Sequence, residues 1–238
     1  MTDLWQPTDD NIFEYFDDKI GLKAWEKGKT TEATIDLDKN QFLQFLQDLE
    51  QADKEKLLDM LRKYDGCMSA INEGAFPYPP AFQLIVLMGL IELAMGNTGY
   101  VTLPEYLQRN ISKYELISKE KLTELVSHYY AEFGQRKAYL RFFNDYLITE
   151  EQAELLRYLK TCPEWESCNE IRDFVNRLEP YRHKFIHELS PNTLWPDSQR
   201  LVLSNGTEPA QIYPTISPPL LIGIVWRGIL RKFGYNSF

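Results

Sequence analysis

Apolar residues recur at helical spacing along most of the chain. Asp38 fits the N-cap of a helix, and the apolar positions after it lie mostly three or four residues apart. These positions are Phe42, Leu43, Phe45, Leu46, Leu49, Leu57, Leu58 and Leu61. They predict one or two helices within residues 39–64. Residues 1–37 carry aromatic side chains without a clean period and predict a segment that wraps the surface, with a short helix.

Helical patterns continue after a proline-rich stretch. Residues 74–80 (GAFPYPP) cannot continue a helix, because proline removes a backbone donor and clashes with the preceding turn. The apolar residues that follow predict a buried helix over residues 81–96. Further helices are predicted near Pro104, from Ser118 to Phe133, from Thr149 to about Leu159, from Ser167 through Leu178, and from Pro219 to Lys232.

Together these elements predict an all-α fold, a helical bundle with a small β-hairpin or irregular insertion before the C-terminal helix. The insertion covers residues 190–218, where Asn205-Gly206 has the form of a hairpin turn. The proline-rich stretch suggests a boundary between an acidic N-terminal helical region, residues 1–75, and a helical domain, residues 76–238. One continuous domain is the alternative.

Charge is distributed unevenly along the 238 residues. The net charge is −9, which argues against a protein that coats nucleic acid through a basic face. Residues 1–164 hold 18 Lys and Arg against 28 Asp and Glu, a net charge of −10, whereas residues 165–238 carry a net charge of +1. A site for an anion is therefore expected in the last third.

The remaining sequence patterns exclude several classes of protein. The acidic N-terminus lacks the form of a signal peptide, and no apolar run reaches the roughly 20 residues that cross a bilayer. The three cysteines have no CxxC spacing and are expected to be reduced. Phosphate-loop, GxGxxG and GxSxG motifs are absent from the sequence. We expect a soluble cytoplasmic protein with no membrane association.

The sharpest chemical pattern is the segment YRHKFIHEL. Arg182 and His183 precede the apolar pair Phe185 and Ile186, and His187 follows. Arginine suits phosphate because its planar fork stays charged and donates several hydrogen bonds. Histidine suits proton transfer because its pKa lies near neutrality. If Pro180 begins a new helix, Arg182 lies in a first turn, where unpaired backbone N–H groups favour an anion.

This segment resembles the HEPN family (higher eukaryotes and prokaryotes nucleotide-binding), helical bundles that include many metal-independent ribonucleases. The residues that carry the resemblance are Arg182 through Glu188, and the apolar stripe from Ile171 to Leu178 resembles the family's motif-bearing helix. The family more often has Asn or Asp at the position of His183. The resemblance covers about seven residues in motif and the last third of the chain in helix pattern.

The resemblance implies an endoribonuclease that cleaves single-stranded RNA without a metal or other cofactor. His187 would be the catalytic acid/base, Arg182 the clamp for the phosphate and the transition state, and His183 an auxiliary polar residue. The products would be a 2′,3′-cyclic phosphate and a 5′-hydroxyl. The family pools two copies of the motif across a two-fold axis, which implies a homodimer, and it is frequent in antiviral defence and toxin–antitoxin systems.

Three other interpretations of this segment stay open. Arg182 and His187 could lie on a solvated helix face and pair with Glu179 or Glu188. Glu179, His183 and His187 have the i, i+4 spacing of metal ligands, although no HExxH motif accompanies them. A non-catalytic helical adaptor or subunit would bind a nucleotide, or a protein partner through the acidic N-terminal region. Enzymatic activity is therefore left open by the sequence.

Two basic or aromatic groups could also contact RNA. The group Tyr139, Arg141, Phe142, Phe143 and Tyr146 could stack bases, but this spacing is more typical of a core with a charged rim. Arg227, Arg231 and Lys232 could contact RNA or acidic lipid. The alternative is that they complement the dipole at the end of the last helix.

Overall fold

The computed structural model describes residues 7–25, 34–74, 79–96, 103–111, 118–133, 135–160, 169–176, 199–202, 211–214 and 218–237. Most of these residues are helical, which confirms the predicted all-α class. The helices are α1 (Asp9–Glu14), α2 (Lys39–Asp48), α3 (Gln51–Asn72), α4 (Pro79–Met95), α5 (Leu103–Ile111), α6 (Lys119–Phe133), α7 (Gln135–Asp145), α8 (Thr149–Lys160), α9 (171–176) and α10 (Pro218–Lys232). A π-helical turn, Tyr15–Lys19, follows α1.

Four short strands form two antiparallel pairs among the described residues. β1 (Ala24–Trp25) pairs with β2 (Thr34–Ile35), and β3 (Gln199–Val202) pairs with β4 (Gln211–Pro214). Asn205-Gly206 and the rest of the connection from β3 to β4 lie outside the described residues. The predicted hairpin insertion therefore stays a prediction.

Side chains placed at helix starts explain where two helices begin. The Asp38 carboxylate accepts a hydrogen bond from the Gln41 backbone N–H at 3.1 Å, which confirms Asp38 as an N-cap. The Ser118 hydroxyl accepts one from the Lys121 N–H at 3.2 Å, at the start of α6. Both caps satisfy donors that a helix leaves without an intrahelical partner.

The start of α8 differs from the TEEQ capping box that its sequence suggests. Thr149 is the first helical residue, and Ile148 takes the capping position. Glu151, rather than Gln152, accepts the backbone N–H of Ile148, at 3.3 Å. The Gln152 side chain instead donates to the carbonyls of Phe143 and Leu147, at 3.0 and 3.1 Å, and so ties α8 to the end of α7. The contact with the capping residue that Gln152 was predicted to make is thus made by Glu151, one residue earlier.

The core is centred on α4, which packs against α3, α7 and α10. The predicted helix over residues 81–96 is thus confirmed as a central element. Gly228 of α10 lies against Phe142, and a Cβ at this glycine would be 2.6 Å from the Phe142 ring. Glycine therefore allows α10 to approach the α7 side chains closely.

The expectation that the N-terminal segment only wraps the surface is wrong for Phe13, Tyr15 and Phe16. Ile12 and Phe16 have no solvent exposure, and Phe13 and Tyr15 are also buried. The Phe16 ring packs edge-on against Trp226 of α10, with centroids 5.2 Å apart. A sequence without helical period can still fill a core, because a π-helical turn changes the residue spacing that faces inward.

Buried residues before and after residue 75 belong to one core. Phe42, Leu57 and Tyr64 share this core with Met88, Phe142 and Trp226. A boundary between regions 1–75 and 76–238 stays a prediction.

Candidate functional site

Arg182, His183 and His187 lie outside the described residues, as do Glu179 and Glu188. Their positions relative to one another therefore stay predictions. The described chain that leads towards them is α9, residues 171–176.

Helix α9 is anchored in the core by the apolar stripe that the sequence predicts. Phe174 and Val175 have no solvent exposure, and Ile171 is also buried. The Phe174 ring meets Phe143 of α7 edge-on, with centroids 5.2 Å apart. This confirms three members of the stripe, while Leu178 lies outside the described residues. The segment that contains Arg182 thus follows a helix held firmly against α7.

The start of α9 has its own local cap. The Asp173 carboxylate accepts hydrogen bonds from the backbone N–H groups of Asn169 and Glu170, at 3.0 and 3.2 Å. A carboxylate at a helix N-terminus also interacts favourably with the positive end of the helix dipole. The helix that precedes the candidate motif therefore has a defined beginning.

Two of the three basic residues on α10 donate hydrogen bonds to a buried carboxylate. Glu151 of α8 has no solvent exposure, and Arg227 is 3% exposed. The Arg227 Nε donates to Glu151 Oε1, and the Arg231 Nη1 donates to Glu151 Oε2 at 2.6 Å. Arg227 also donates to the Lys23 carbonyl at 3.0 Å, and Arg231 to the Tyr146 carbonyl at 3.0 Å.

This arrangement decides the role of the α10 cations. A guanidinium that donates to a buried carboxylate and to a backbone carbonyl is not presented to an RNA phosphate or a lipid headgroup. Arg227 and Arg231 instead join α10 to α8 and to the N-terminal segment. The Nζ atom of Lys232, the third basic residue, lies over the Tyr146 ring, 5.7 Å from its centroid.

Sequence reasoning missed Glu151 as the partner of these arginines, although one signal was present. Arg227 stands inside an apolar run, between Trp226 and Ile229, on a helix whose other residues are mostly buried. A charge in such a place needs a buried partner of opposite sign. The identity of that partner depends on the packing of α8 against α10, which the sequence pattern does not specify.

The aromatic group on α7 belongs to the core, as its spacing predicts. Tyr139, Phe142 and Phe143 are buried, whereas Arg141 is exposed. The Tyr139 hydroxyl donates to the Glu92 carboxylate on α4. These rings are therefore unavailable for stacking on a base.

His128, the histidine outside the YRHKFIHEL segment, lies on α6 and is exposed. Its Nδ1 is 3.3 Å from the Tyr106 hydroxyl of α5, and the rings of Tyr106 and Tyr129 are 5.4 Å apart. These contacts tie α5 to α6. The pair is a structural contact between two neighbouring helices.

Within the part of the chain that the structure describes, no three His, Cys, Asp or Glu side chains are grouped as metal ligands would be. The alternative metal ligands Glu179, His183 and His187 lie outside it. None of the described helices combines the length and the apolar character needed to cross a bilayer.

Comparison of the chain with protein-family models, with curated proteins and with solved structures found no match.

Proposed function

We propose that the protein is a HEPN-like, metal-independent endoribonuclease that cleaves single-stranded RNA. The observation that carries the proposal is the segment RHKFIHE, which begins in sequence seven residues after Val175, the last buried residue of α9, within an all-α fold. The proposal includes a cytoplasmic location, a role in antiviral defence or a toxin–antitoxin system, and a hairpin insertion between α9 and α10.

Each motif residue has a defined task in this reaction. His187 moves the proton between the 2′-hydroxyl, the phosphodiester and the leaving 5′-oxygen, because imidazole can both accept and donate a proton near neutral pH. Arg182 binds the phosphate and stabilises the negative charge that develops in the transition state. His183 contributes a further polar group. The bond that breaks joins phosphorus to the 5′-oxygen, and a 2′,3′-cyclic phosphate forms.

The geometry of a helix makes a dimer part of the proposal. Five residues turn a straight helix by about 500°, so that Arg182 and His187 would point about 140° apart. Two motifs facing each other across a two-fold axis would supply an arginine and a histidine to one phosphate. The net charge of +1 on residues 165–238 supports an anion site in this part of an otherwise acidic chain.

The first prediction concerns the catalytic histidine. Purified protein is expected to cleave single-stranded RNA in the presence of EDTA, and His187→Ala should lower the cleavage rate by at least about a hundredfold, the scale of general acid–base catalysis. The rate is measured with an end-labelled oligonucleotide, and the cyclic phosphate is identified by mass spectrometry.

The matched control is His128→Ala. His128 is exposed and bonded to Tyr106, so this variant should cleave at the wild-type rate. Circular dichroism checks that both variants keep their helical content. Equal cleavage by wild type and His187→Ala, with both folded, would reject the nuclease assignment.

A second candidate function is a non-catalytic adaptor or subunit. The net charge of −10 on residues 1–164 favours it, because an acidic surface attracts a basic protein partner. This function predicts a stable complex with a defined partner and no cleavage of RNA by either partner. Size-exclusion chromatography at low and high salt measures the complex, which should weaken as salt screens the charges.

A further inference from the structure

We draw no further inference here: the strongest candidate, the open groove of about 590 Å³ between α2 and the turn that follows α10, is lined by aromatic rings, side-chain amides and one carboxylate that is already hydrogen-bonded to Gln44, and nothing in the described part of the chain shows what covers it.

Discussion

The Glu151 carboxylate accepts hydrogen bonds from two guanidinium groups in a place without solvent exposure. Removing charges from water costs several kcal/mol for each ion, and a well-formed set of hydrogen bonds offsets that cost. The same Glu151 also accepts the Ile148 N–H at 3.3 Å, so that one side chain starts α8 and holds α10. Loss of the carboxylate would leave the buried Arg227 and the partly buried Arg231 without their counter-charge.

We therefore predict that Glu151→Gln lowers the free energy of unfolding by about 3–5 kcal/mol, the range for breaking a buried ion pair. Urea denaturation followed by circular dichroism measures the loss. Glu150→Gln on the same turn, a residue of intermediate exposure, is the control and should change stability by less than about 0.5 kcal/mol. Equal stability of the two variants would contradict a structural role for the cluster.

At the scale of the element, helix ends decide where the chain can turn. The Gly234 N–H donates to the Arg231 carbonyl at 2.9 Å, and the Tyr235 N–H to the Leu230 carbonyl at 3.0 Å. These two bonds form a Schellman motif, in which the residue after the helix takes a left-handed conformation. Glycine adopts that conformation without steric cost. Tyr235 then reaches the rings of α2.

One substitution at two glycines should have opposite effects. Gly234→Ala is predicted to destabilise the protein by about 1–2 kcal/mol, because φ is +101° there. Gly66→Ala is predicted to stabilise it by about 0.5–1 kcal/mol, because Gly66 is exposed within α3 and a Cβ would meet no atom within 4 Å. Thermal melts of both variants provide the measurement. A stabilising Gly234→Ala would show that the Schellman turn is absent in solution.

At the scale of the whole molecule, one core joins the N-terminal segment, α3 and the C-terminal turn. Each contributes a buried tyrosine: Tyr15, Tyr64 and Tyr235. Burial, with a smaller contribution from Asp65, raises the pKa of Tyr64 to about 12, and burial together with Asp38 raises the pKa of Tyr235 to about 12. Burial and a hydrogen bond to Asp65 also raise the pKa of Tyr15.

These raised pKa values predict a loss of stability at alkaline pH. The unfolded chain releases its phenolic protons near pH 10, while the folded protein keeps them. The stabilisation is therefore fully present below about pH 10 and is lost as the pH rises towards about 12. Urea denaturation at a series of pH values measures the slope, at most about 1.4 kcal/mol per pH unit for each tyrosine.

Tyr235→Phe supplies the comparison for this prediction. Phenylalanine keeps the ring contacts with Phe42 and Phe45 but has no phenolic proton to lose. The variant should therefore lose stability less steeply than wild type above pH 10. An unchanged slope would mean that the Tyr235 hydroxyl meets the same environment in the folded and unfolded states.

Local sequence signals were sufficient to place many helices. Asp38 and Ser118 cap the helices that their positions predict, and the apolar residues predicted to form a helix over 81–96 lie in α4, which begins two residues earlier, at Pro79. The local signal at TEEQ was displaced by one residue, because Ile148 takes the capping position and Glu151 accepts its N–H. Glu151 also bonds to Arg231, which only the tertiary fold brings close. For the candidate site, the sequence supplied the residue types and the spacing. Of the residues that precede the candidate site, Ile171, Phe174 and Val175 are confirmed as core residues.

The sequence by itself determined the all-α class and the apolar faces, because helical period, caps and prolines act over a few residues. The tertiary structure alone decided which charges would be buried together and which surfaces would remain open. The apolar run around Arg227 indicates that it is buried, but only packing shows that Glu151 is its partner, and Tyr235 meets Phe45 only because Gly234 turns the chain back. Contacts between residues about 80 or more positions apart depend on packing, and a local pattern carries no record of them.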